Sequence, residues 1–211
     1  MSLHLSGDPA ADKLLSEDPL ALLIGMVLDQ QVRLEFAFSA PAILKERLGG
    51  TLDPGAVAAM DPEALAAVFS AKPALHRYPG SMAKRVHALC RVVSEDYGGD
   101  AAAIWGRPET GKELFAAIKA LPGFGEQKAR IFVALLGKQL GVRPPGWEDV
   151  STPYSDAGSH RSVADITDNA TLDEVRDFKR TMKAQAKAQK ASTPDGAAGS
   201  RAGRARGRTA R

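Results

Sequence analysis

The sequence predicts an all-α fold. Three observations carry that prediction. Apolar residues recur at helical spacing in one segment after another. Asp-Pro pairs stand in front of several of those segments. No stretch alternates apolar and polar residues for long enough to make a strand. An aspartate before a proline marks a helix start for a physical reason. The carboxylate accepts from N–H groups that the first turn leaves unpaired, and the proline sits where no N–H is needed and φ is already helical.

Taken in order, Asp18-Pro19 opens an apolar helix over Leu20 to Gln30. A second helix is expected from Leu34 to Leu48, stopping at Gly49-Gly50, with Pro41 kinking or interrupting it. Asp53-Pro54 and Asp61-Pro62 start two short helices. From Gly80 onward, Met82, Val86, Leu89, Cys90, Val93 and Tyr97 fall on one face, and Gly98-Gly99 ends the run. Cys90 on that face reads as a small core hydrophobe. Thr110 to Ala120 is a helix with Leu114, Phe115 and Ile118 apolar. Ala129, Phe132, Val133, Leu136 and Leu140 mark the next. Gly141 to His160 reads as irregular, and a last helix runs from Leu172 to near Gln189.

The 211 residues are 44% apolar and 25% charged, enough for a core and against wholesale disorder. The longest apolar run, Pro19 to Leu28, is too short to span a bilayer, and the N-terminus lacks a signal-peptide pattern. The expectation is a soluble, cytoplasmic chain. Its one cysteine excludes an internal disulfide and any four-cysteine zinc or iron–sulfur site. His4, His76, His87 and His160 have no ligand spacing, so neither metal nor cofactor is expected.

Charge is distributed unevenly. Thr181 to Arg211 carries eight basic side chains against Asp195 alone, a net +7, which leaves −4 on the first 180 residues of a chain with total charge +3. The expected organisation is a helical domain over 1–180 and a disordered basic Ala/Gly/Arg-rich tail over 181–211. Such a tail buries too little to fold alone and attracts polyanions, although a merely solvated end fits it equally well.

The chemically informative segment is Lys119-Ala-Leu-Pro-Gly-Phe-Gly-Glu-Gln-Lys-Ala-Arg130, a helix, a glycine-rich hairpin and a second helix. Gly123 and Gly125 permit a sharp turn with exposed backbone N–H groups. The following helix adds its unpaired amides and positive dipole end, and Lys128 and Arg130 lie close by. That combination can hold a phosphate without reading base sequence. From these residues alone an ordinary helix–helix turn fits as well.

LPGFGEQKARIFVALLG, Leu121 to Gly137, resembles the helix-hairpin-helix of the HhH-GPD base-excision DNA glycosylase superfamily, named for a Gly/Pro-rich hairpin followed by an Asp. LIGMVLDQQVRLEFAF, Leu23 to Phe38, resembles that family's early helix ending in a glutamine-bearing turn, and GSMAKRVHALCRVV, Gly80 to Val93, resembles the helix between the two. The resemblance covers roughly Asp18 to Asp149. It implies two helical lobes around a cleft, double-stranded DNA as partner, a monomer associated with the nucleoid, and cleavage of the N-glycosidic bond of a damaged or mispaired base flipped from the duplex.

The resemblance implies roles for individual residues. Gln30, with Gln31 beside it, would fill the hole left by the flipped base. Leu121, Gly123, Phe124, Gly125, Lys128 and Arg130 would meet the DNA backbone. Trp147, ahead of Tyr154 and Trp105, would stack on the base. The nucleophilic lysine of bifunctional members falls on Gln127 here, one residue before Lys128, which implies a monofunctional hydrolase, and the single cysteine cannot build the family's iron–sulfur cluster. A carboxylate must stabilise the positive charge that builds on the sugar. Asp149, and next Glu148, follow the second hairpin helix for that role, a few residues later than the family pattern. Asp29 is an acid without an assigned place. Two rival readings are a non-catalytic helix-hairpin-helix DNA-binding protein that has lost the acid, and a helical protein-interaction domain.

Overall fold

A computed structural model describes residues 2–192, with side chains through Gln185. Among these residues there are eleven α-helices, one 3-10 turn and no strand. The chain runs α1 (Pro9–Glu17), α2 (Pro19–Leu28), α3 (Leu34–Arg47), α4 (Pro54–Ala59), α5 (Pro62–Ser70), α6 (Pro79–Tyr97), α7 (Ala103–Gly106), α8 (Gly111–Lys119), α9 (Glu126–Gln139), α10 (Trp147–Ser151), the 3-10 turn Val163–Asp165 and α11 (Asn169–Ser192). Among the described residues no helix is long and apolar enough to cross a membrane.

The Asp-Pro starts act as expected. Asp18 accepts from the N–H groups of Leu20 and Ala21 at 3.0 and 3.1 Å, and Asp53 and Asp61 cap α4 and α5 in the same way. Each such cap contributes about 1 kcal/mol. Asp8-Pro9 repeats the signature and starts α1, a helix the periodicity did not single out. α3 continues as helix through Pro41 instead of stopping there, because Ala37, Phe38, Ala40, Pro41 and Leu44 are all buried and tertiary packing outweighs the lost hydrogen bond.

α2 is the hub. Nine of its ten residues are buried, and it packs on α1, α3 and α6. α4 and α5 lie against α6. The second lobe is built on α9, which packs on α8, α10 and the 3-10 turn, while α7 joins through Trp105, edge-on to Phe132 at 5.6 Å. Cys90 lies in the core, where burial pushes its thiol up to about 12 with help from the Asp53 charge. It is therefore an inert apolar group.

One departure concerns the C-terminal half. The stretch expected to be irregular contains α10, which sits where glycines let it approach: a Cβ on Gly137 would lie 2.3 Å from the Trp147 ring, and one on Gly111 2.4 Å from the Gly146 carbonyl carbon. α11, Asn169–Ser192, agrees with the helix expected from Leu172 to near Gln189, which runs into the segment assigned to the tail. The disorder expected further along, from 193 to 211, lies outside the described residues.

Candidate active-site cleft

A cleft of about 770 Å³ opens where the two lobes meet. One wall is the C-terminal end of α2 and the turn after it, with Met26, Asp29, Gln30 and Gln31. The facing wall is the start of α9, with Gln127, Lys128 and Ile131. Pro153 and Tyr154 follow α10, and Phe178 and Met182 of α11 complete the rim.

The hairpin stands at the α9 end. Leu121 and Phe124, expected at the DNA surface, point inward: they are 3% and 6% exposed, and Phe124 packs on Phe132 at 5.7 Å. They brace the turn, and only its backbone is left for DNA. Gly123 has φ +88°, a conformation that favours glycine. Gly125 is the exposed N-cap of α9 and offers no side chain to the helix amides, which leaves them for an anion. Exposed Glu126 in that first turn is bridged to Arg130 at 3.0 Å and Lys119 at 3.3 Å, and these two cations hold its carboxyl below the usual range. Arg130 remains near the hairpin and also donates to the Thr152 carbonyl.

Lys128 corrects a sequence expectation. It does not extend toward a phosphate. Its ammonium donates to the carbonyls of Met26 and, at 3.2 Å, Val27. These belong to the last turn of α2, so the cation sits at the negative end of that helix and ties one wall of the cleft to the other. Burial pushes its pKa down to about 8, opposed by the Asp29 charge and reinforced by Arg85.

The glutamine turn resolves into two roles. Gln30 is committed: its amide donates to the Val27 carbonyl at 2.7 Å, and its oxygen accepts from Arg85 at 2.9 Å. Gln31 is exposed and has φ +56°, rare for a residue with a Cβ. Strain of that kind costs about 1 kcal/mol or more and gathers at functional sites. Buried His76 stabilises the turn. The Tyr78 N–H donates to its Nδ1 at 3.0 Å, so Nε2 carries the proton and meets the Gln30 carbonyl at 2.9 Å.

The expected carboxylates are elsewhere. Glu148 and Asp149 occupy the first turn of α10, both exposed, and neither lines the cleft. The cleft is lined instead by two carboxylates, Glu126 and, on the α2 wall, Asp29. Asp29 is half-buried and terminates α2, its N–H bonded to the Gly25 carbonyl at 2.9 Å. Its carboxylate makes no salt bridge among the described residues, but its charge acts on the Lys128 ammonium.

Trp147 is also displaced from its expected place. Its ring rests on the backbone of α9 at Gly137, half-buried outside the cleft, because that glycine leaves a slot the size of an indole. Tyr154 is the aromatic of the three that lines the cleft, its hydroxyl accepting from Gln127 at 3.0 Å. Sequence reasoning missed Phe178, which lies under the Arg161 guanidinium at 5.2 Å. The signal was the stripe Leu172, Val175, Phe178 and Met182, spaced three, three and four along α11.

The family comparison covers most of this architecture. Residues 24–190, well over half the chain, match the model of the HhH-GPD superfamily base excision DNA repair proteins. No curated protein and no solved structure matches the chain. With its all-helical lobes, its hairpin and the cleft between them, the chain belongs to the HhH-GPD superfamily of base excision DNA repair proteins.

Proposed function

We propose that the protein is a monofunctional DNA N-glycosylase that flips a damaged or mispaired base into the interlobe cleft and hydrolyses its bond to the sugar. The observation that carries this reading is the cleft itself, with the hairpin at one end and the left-handed, exposed Gln31 at its mouth. The hairpin amides would grip the backbone next to the lesion. Gln31, more than Gln30, is free to enter the stack, since Gln30 spends both ends of its amide inside the protein. The extruded base would lie among Ile131, Tyr154 and Phe178. Gln127 stands two residues after the last hairpin glycine and carries no nucleophile, which favours water as the attacking group.

The test is excision from duplex oligonucleotides, each with one lesion or mismatch, treated with alkali to cut at abasic sites. Strand breakage that appears only after alkali supports a monofunctional enzyme. Breakage without alkali would point to a lyase. A second reading, a DNA-binding protein without catalysis, is favoured by the position of Glu148 and Asp149 outside the cleft. It gains if no member of a broad panel is cut.

A further inference from the structure

We propose that Asp29 is the carboxylate that faces the sugar during base release, supplied from the end of α2 instead of from the segment after the hairpin. The inference rests on the glycosylase reading above. Breaking a glycosidic bond builds positive charge on the sugar, and the cleft must provide an ionised carboxylate against it. Two carboxylates line the cleft, Asp29 and Glu126. Glu126 is exposed, already held between Arg130 and Lys119, and stands at the phosphate-binding end. Asp29 is half-buried, lines the cleft and, unlike Glu126, is held in no salt bridge among the described residues.

The end of α2 disfavours a carboxylate such as Asp29, although its charge favours the buried Lys128 ammonium. A carboxylate at a helix C-terminus adds its charge to the negative end of the dipole and is disfavoured there. Lys128 offsets this locally by taking the carbonyls of Met26 and Val27, and the Asp29 charge acts on its ammonium without forming a salt bridge. Asp29 is also two residues from Gln31, so a nucleotide whose place in the stack Gln31 fills would bring its sugar past Asp29 on the way to Tyr154.

The chemistry balances as hydrolysis. The C1′–N bond breaks and its electron pair leaves on the base nitrogen. Asp29 stabilises the positive charge shared by C1′ and the ring oxygen. The oxygen of water bonds C1′, and the proton it sheds is held on the Asp29 carboxylate before it reaches the departing base.

The experiment compares binding to three duplexes: undamaged, carrying a neutral tetrahydrofuran abasic analogue, and carrying a pyrrolidine analogue that is cationic at the sugar position. Wild-type protein is expected to bind the cationic analogue on the order of 10²-fold tighter than the neutral one. Asp29→Asn and Asp29→Ser, each with a melting temperature near that of wild type, should bring the two within about threefold while keeping affinity for the neutral analogue. Glu148→Gln and Asp149→Asn should keep the preference. A preference that survives in both Asp29 variants, or that disappears in Asp149→Asn, overturns the proposal. Wild-type protein that binds both analogues equally, and better than undamaged duplex, overturns it while leaving the glycosylase reading intact. Wild-type protein that favours neither analogue over undamaged duplex overturns the glycosylase reading itself.

Discussion

The imidazole of His76, 2% exposed, donates to the carbonyl of Gln30 at 2.9 Å across 46 residues of chain. That bond fixes the peptide immediately before the left-handed Gln31. His76→Phe keeps the volume but leaves a carbonyl without its partner, a loss of about 1–3 kcal/mol. The melting temperature should fall, and amide exchange at Gln31 and Val32 should quicken. Unchanged exchange there would mean that the turn is held by other contacts.

Gln31 offers a separation of stability from function. Gln31→Gly suits φ +56° and should leave the melting temperature equal or higher. Gln31→Ala keeps the strain. Both lose the side chain that fills the stack. Fluorescence of a 2-aminopurine beside a lesion, which rises when bases unstack, should show less flipping for both variants than for wild type.

Gly125 and Gly123 should respond differently. A Cβ on Gly125 meets nothing within 4 Å and its φ is −94°, so Gly125→Asp fits and improves the N-cap of α9 by a few tenths of a kcal/mol. The new charge stands where a phosphate would sit. Duplex affinity at low salt should drop by about tenfold or more, with stability retained. Gly123→Ala is strained at φ +88° and reaches Val27 at 3.2 Å, so its loss of binding comes with a loss of stability.

Lys128 gives the fold a dependence on pH. Its folded pKa of about 8 lies below the ordinary lysine value of 10.5. Between these two the unfolded chain binds more protons than the folded one, so stability rises with pH across that window. The penalty is fully present below about pH 8 and is relieved as pH approaches 10.5. Urea unfolding of wild type and Lys128→Met should therefore diverge over this range, wild type gaining up to about 3 kcal/mol on the variant. Parallel stability curves would show that the ammonium is better solvated than its burial implies.

Truncation after Ser192 removes Arg201, Arg204, Arg206, Arg208 and Arg211 along with Asp195, a net +4, and spares α11. Each neutralised phosphate contributes ~0.9 to the slope of log affinity against log salt. The truncated protein should show a slope shallower by up to about four. Identical slopes would exclude the tail from the complex.

Local rules made most of the helices readable. The Asp-Pro caps depend on neighbouring residues and located α2, α4 and α5 directly. The hairpin was legible because its glycines and flanking helices are contiguous. The cleft was less so. Trp147 reads as a loop aromatic until Gly137, ten residues earlier, is found beneath it. Lys128 reads as a phosphate ligand because the carbonyls that capture it lie about a hundred residues away. Gln30 and Gln31 are identical in type, and only the backbone dihedral of one and the hydrogen bonds of the other tell them apart. Asp29 was visible as an acid but had no place, because its position on the cleft wall depends on how the end of α2 faces α9.

Three sides of the cleft belong to segments packed into one lobe or the other, whereas the fourth is α11. That helix has Leu172 and Val175 buried, Phe178 half-buried, and the ion pair from Arg176 to Glu35 on α3. Its central amides should therefore exchange with solvent through local detachment, at a free energy well below that of global unfolding, while the amides of α2 and α9 exchange only when the whole domain opens. The chamber that would receive the base is thus bounded by walls of unequal permanence, and its effective width is set by the occupancy of its weakest wall.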